Sequence, residues 1–261
     1  MTDVYDEMMT SCRRIADAFF PQPRFYEECR KELNVSRRLF QTDSTVLRCL
    51  DMISDRLRDN YGHGSNHVTR VAIEAGALAL RERERLRLCD SSTNRIGVLA
   101  LLSGLLHDIC RGEKEHAKKG ALAAGPILDS LPISVHEKTY ITGAIANHEA
   151  FVEPLSASSI YAQILSDTLY DADKFRWGPD NFTETLWAML RSRPVPMAVV
   201  IHQFPEGMKE IARIKDTFRS EAGRSFGPEF ISIGLRIGEE IYQFLRQRFA
   251  EELRLQQPSS G

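Results

Sequence analysis

Apolar residues along this chain recur at steps of three and four, the spacing of helix faces, and no convincing alternation with hairpin turns is present. The pattern predicts a helix from Asp3 to Phe20, stopped by Pro21 and Pro23, and a second from Arg24 to roughly Asn34. A third spans about Ser44 to Asn60 and ends before Gly62. The next runs from Ser65 to Arg85, with Val68, Val71, Ala72, Ala75, Leu78 and Ala79 on one face. Its far end, Arg81 to Arg85, alternates in sign and nearly cancels, which reads as a solvated face.

From Val98 to Leu106 the chain is apolar on every side, the mark of a central buried helix. Helices follow at about Glu115 to Leu131, Ser134 to Ala150 and Ser158 to Phe175, the second opened by a capping-box pair, Ser134 and Glu137. Further helical patterns cover Phe182 to Ser192, Met197 to Arg224 and Glu229 to Arg254, before a polar tail. The expected fold class is all-α.

Composition changes this picture little. Of 261 residues, 43% are hydrophobic and 27% charged, the range of ordinary globular proteins, and the formal charge of -2 gives no reason for bulk attraction to nucleic acid. Cys12, Cys29, Cys49, Cys89 and Cys110 are odd in number and lack C-x-x-C spacing, so they read as reduced thiols. The longest apolar stretch is too short to span a membrane, and no signal-like start is visible, so a cytoplasmic location is expected.

The chemistry lies in the histidines and aspartates. The buried helix ends in His107-Asp108, where an unpaired carboxylate would be costly to bury. His67, His116 and His148 are each expected on the apolar stripe of their own helix, and Asp173 continues the stripe Leu165-Leu169 and is preferred over Asp171. A single inward histidine is usually structural, but five helices each directing one of these groups inward are best explained by a divalent metal with mixed imidazole and carboxylate ligands. His202 reads as structural. Basic residues stand close by in sequence: Arg70, Arg111, Lys114 and Lys174, partners suited to a phosphate.

The segments His67-Val68-Thr69-Arg70-Val71, Leu105-Leu106-His107-Asp108-Ile109 and Asp171-Ala172-Asp173-Lys174-Phe175 resemble the H…HD…D signature of HD-domain phosphohydrolases, over roughly residues 43 to 180. The resemblance implies an HD domain at 43–180, with helical extensions at 1–42 and 181–261. It also implies that His116, followed by Gly120-Ala121, and His148 complete a second metal position bridged by Asp108. His63, in Tyr61-Gly62-His63-Gly64, matches a further family histidine and is expected at the substrate, as are Arg111 and Lys114. The implied reaction is hydrolysis of a small phosphorylated substrate, such as a nucleotide, by a metal-activated water, with Asp108 orienting that water and Arg70 and Lys174 offsetting phosphoryl charge. One or two ions are expected, with Mn, Fe, Co, Ni, Zn and Mg all open, and an oligomer is compatible with the sequence. Two rival readings stay open: a di-iron oxygenase of a small organic substrate, and a non-catalytic metal-binding regulatory module.

Overall fold

The structure is a computed structural model that describes residues 4–58, 65–88 and 94–255, and every regular element among them is helical. In chain order the helices are α1 (Val4–Phe19), α2 (Phe25–Glu28), α3 (Arg30–Thr42), α4 (Ser44–Arg58), α5 (Ser65–Arg85), α6 (Arg95–Leu106) and α7 (His116–Asp129). Then follow α8 (Val135–Ala146), α9 (Ile160–Phe175), a π-helical turn (Asn181–Thr185), α10 (Leu186–Ser192), α11 (Met197–Ile214), α12 (Glu221–Arg248) and α13 (Ala250–Leu255). Among the described residues no helix is long and apolar enough to cross a membrane.

The centre of the bundle is α6, buried at every position from Ile96 to Leu106, as its all-round apolar sequence requires. It packs most extensively on α5, and α8 and α9 also lie against it. Gly104 sets how closely α5 and α6 approach: a Cβ there would lie 2.4 Å from Ala72 Cα, so only glycine permits this crossing. One hydrophobic cluster runs through the molecule, joining Met8, Phe25 and Leu33 to Leu78, Leu101 and Leu169, and on to Phe226, Ile237 and Leu245. At its heart Phe175 stacks on Phe230 at 4.1 Å and meets Phe25 edge-on at 5.1 Å.

Boundaries differ from the sequence pattern at three main places. The second segment splits at Cys29 and continues to Thr42, because Leu33 and Ser36 are buried against the core and carry the helix past Asn34. Helix α8 stops at Ala146, so His148 lies just beyond its end rather than on its stripe. His67 and His116 stand in the first turns of α5 and α7, whose starts agree with the pattern to within one residue. The break expected near Gly227-Pro228 falls instead at Lys215–Ser220. There Ser220 Oγ caps Gly223 N–H, and Asp171 accepts from Arg219 N–H, Ser220 N–H and Ser220 Oγ. Pro228 is tolerated inside α12 because burial of Phe226, Phe230 and Ile231 outweighs the backbone hydrogen bond it cannot donate.

Candidate metal centre

Five helix ends meet at one place. His67 comes from the start of α5, His107 and Asp108 from the end of α6, His116 from the start of α7, His148 from just past α8, and Asp173 from the last turn of α9. Their donor atoms form two trios: His67, His107 and Asp173, and Asp108, His116 and His148, each with its atoms within 4.8 Å of one another. In the first, His67 Nε2 is 3.5 Å and His107 Nε2 3.8 Å from Asp173 Oδ1. Asp108 divides its oxygens between the two. Its Oδ2 lies 3.8 Å from His67 Nε2 and 3.4 Å from His107 Nε2, while its Oδ1 lies 3.5 Å from His148 Nε2 and 3.9 Å from His116 Nε2.

These groups fit divalent cations on three counts. Donor atoms roughly 3–4 Å apart are what bonds of about 2.0–2.2 Å at tetrahedral or octahedral angles require. His107 Nδ1 is 2.7 Å from the carbonyl of Gly104, and His148 Nδ1 is 2.6 Å from that of Ile145. A carbonyl can only accept, so each Nδ1 carries a proton and each ring turns its Nε2, the atom a cation would bind, inward. Neither Nε2 has a hydrogen-bond partner, although both rings are buried.

Electrostatics supplies the third count. Burial alone would raise the Asp108 carboxyl, but His107, His148 and Arg111 hold it well below the usual carboxylate range. Burial likewise opposes ionisation of Asp173, and Lys174 followed by the imidazoles brings it well below its ordinary value. Against its burial, the His107 pKa is in turn raised by Asp108 and Asp173, so the buried carboxylates draw positive charge to this place, as a cation would supply. Burial, reinforced by His148, lowers the His116 pKa and favours its neutral, ligating form.

The other expected residues are distributed differently. Lys174, expected at substrate, is 3% exposed; its Nζ donates to Asp173 Oδ2 at 2.5 Å and to the His148 carbonyl at 3.0 Å, beneath Tyr170 and Trp177. Arg70 points its Nη1 to Asp180 Oδ2 at 2.8 Å. Asp180 also receives Arg176, which bonds Glu74 at 2.6 Å, giving a buried ionic chain with Tyr26. Arg111 donates to His116 Nε2 at 3.1 Å and lies 3.8 Å from Asp108 Oδ1. Lys114 is exposed on the turn that precedes α7, and His202 is exposed on α11. His63 lies outside the described residues. Asp171 caps α12, and burial lifts its carboxyl to about 7 despite three hydrogen bonds.

Two supports were not apparent from local sequence. Asn147 fixes the loop after α8 by bonding the Leu155 backbone at both its amide ends and Ser166 Oγ. Arg219 Nη1 donates to the Asn147 carbonyl at 2.7 Å, across 72 residues, while its guanidinium lies 3.6 Å from the Tyr170 ring centroid. An asparagine beside a candidate ligand was a signal for the first. Only tertiary structure reveals the second.

No protein-family model and no curated protein matches the chain. Among solved structures, it is similar to a crystal structure described as a predicted HD superfamily hydrolase from an uncultured Thermotogales bacterium, with 22% identity and a TM-score of 0.38. The match covers 88% of this chain and 93% of that one. A likeness of that degree assigns no activity.

Proposed function

We propose that the chain is a metal-dependent hydrolase of phosphate esters or anhydrides, with two divalent cations held by His67, His107, Asp173, His116 and His148 and shared through Asp108. The observation that supports this most is the division of the Asp108 oxygens between the two trios. A small phosphorylated molecule, a nucleotide or a relative of one, is the proposed substrate class, in keeping with the H…HD…D pattern. When bound, the cations supply Lewis acidity and positive charge for phosphoryl chemistry.

The protein's own groups have separable parts in this reading. Asp108 is the carboxylate placed to orient a water or hold its proton between the trios. Lys174 is a positioning residue, since it is buried with its Nζ engaged by Asp173 and the His148 carbonyl. Arg111 and Lys114, on the turn between α6 and α7, are the cations that can meet an anionic group arriving from solvent. Arg70 acts through Asp180 and braces the start of α5.

The test is elemental analysis of protein purified without added metal, joined to a phosphate-release screen over nucleotides and simple esters. Two metal equivalents per chain are expected, with phosphate release supported by Mn2+ or Mg2+. Asp108→Ala should abolish turnover. Oxygen consumption on an iron-loaded sample, with no phosphate released from any ester, would replace hydrolysis by the oxygenase reading.

A further inference from the structure

The two halves of the centre each have a basic side chain, and the two are held in opposite ways. Lys174 is locked: its side chain is 4% exposed, and it grips Asp173 Oδ2 and the His148 carbonyl from behind, leaving Asp173 Oδ1 facing His67 and His107. Arg111 belongs to a non-helical turn between α6 and α7, and its side chain is 34% exposed. That turn closes at Glu115 in the left-handed region, at φ 55°, so Arg111 is not part of either rigid helix.

The contact Arg111 makes is chemically decisive. A guanidinium carries only donors, so His116 Nε2 must accept from it, and the accepting lone pair is the one that would bind a cation. The guanidinium also lies 3.8 Å from Asp108 Oδ1, the oxygen that faces His116 and His148. Arg111 and a cation therefore compete for the same lone pair and the same carboxylate oxygen. At the first trio Lys174 approaches Asp173 through the oxygen turned away from the histidines, and so does not compete for the oxygen that faces them.

We propose that Arg111 is an exchangeable occupant of the second metal position, and that an anionic group reaching the centre draws its guanidinium off His116 and so opens that position to a cation. The inference rests on the two-cation reading of the centre, and it is independent of which phosphorylated substrate is used. Its consequence is ordered loading. The first trio fills at low metal concentration, and the second fills weakly until an anion is present. By linkage, a cation in the second position strengthens anion binding by the same factor.

Calorimetric titration of metal-free protein with Mn2+, with and without inorganic phosphate, tests this on the intact chain and on Arg111→Ala, with circular dichroism to verify that both are folded. The unaltered protein should show one tight and one weak equivalent, the weak one tightened at least tenfold by phosphate. In Arg111→Ala the second equivalent should already be at least tenfold tighter without phosphate, and phosphate should add less than in the unaltered protein. A residual phosphate effect there reports direct ligation of the anion to the cation. Two equivalents whose affinities are unchanged or weakened by Arg111→Ala would overturn the exchange while leaving the two-cation reading intact. One equivalent in both proteins, with or without phosphate, would overturn the two-cation reading and the exchange with it.

Discussion

At the scale of single residues, the centre is organised by what stands behind its ligands. Lys174 offsets the buried charge of Asp173 and selects which of its oxygens faces the histidines. Replacing one partner of a buried ion pair leaves the other uncompensated, at a cost of about 3–5 kcal/mol. Lys174→Met should therefore destabilise the metal-free protein by roughly that amount, and by distinctly less with Mn2+ present, because the cation then balances Asp173. Urea unfolding with and without metal measures the difference, and an equal loss in both conditions would assign Lys174 to packing alone. The gathering of these histidines and aspartates was legible in the sequence because such a residue amid Leu, Ile and Ala has few inexpensive explanations. The partners of the cations were not. Lys174 reads as a residue free to meet substrate until Tyr170, Trp177 and the His148 carbonyl are seen to enclose it.

At the scale of elements, the centre depends on helix ends arriving together, which makes the α5–α6 crossing a control point. A methyl at Gly104 would meet Ala72 Cα at 2.4 Å, and separating the helices would draw His67 away from His107. Gly104→Ala should lower stability by about 1–3 kcal/mol, as overpacked cores do, and weaken metal binding in the same protein. Gly207→Ala is the control: its Cβ meets nothing within 4 Å in α11, and helix propensity should raise stability by about 0.5–1 kcal/mol. Thermal melts and metal titration of both variants separate crowding from propensity. The start of α8 offers a pH test. Glu137 closes the capping box with Ser134 and receives Arg95, which, ahead of the cap contacts, holds its carboxyl down at about 2 against an ordinary 4.5. A depressed acid stabilises the fold above its unfolded pKa and loses that contribution as pH falls through the folded one. Glu137→Gln, which can still cap, should cost about 1 kcal/mol at pH 7, and the deficit should shrink from pH 4.5 toward pH 2, as unfolding curves across that window would record. Helix identities and the Ser134 start were readable from periodicity and capping. The end of α8 was not, since the apolar stripe continues to Ala150 while Asn147 turns the chain toward Leu155.

At the scale of the whole molecule, the candidate metal centre and the C-terminal helices are joined by hydrogen bonds. Asp171 takes the N-terminal end of α12 through Arg219 and Ser220, and Arg219 in turn reaches the Asn147 carbonyl, one residue before the candidate ligand His148. The next carbonyl along, that of His148, is held by Lys174. Two cationic side chains, Arg219 and Lys174, thus fix successive carbonyls of the backbone that presents His148, and one of them comes from a segment that sequence patterning could treat only as an extension. A link across 72 residues leaves no periodic trace, which is why this part of the site was illegible. The physical consequence is selective. The side-chain contacts of Arg219 go to Asn147 and Tyr170, so Arg219→Ala should leave the tight metal equivalent unchanged while weakening the second about tenfold, the factor expected for losing one charge-assisted hydrogen bond of about 1.5 kcal/mol. Arg219→Lys, able to donate to the same carbonyl but not to stack its plane on Tyr170, should recover part of that loss. Metal titration followed together with the melting temperature distinguishes this from a general loss of structure. A lowered melting temperature with both equivalents weakened alike would reduce Arg219 to a brace for the C-terminal helices, whereas loss confined to the second equivalent would tie those helices to the position of His148.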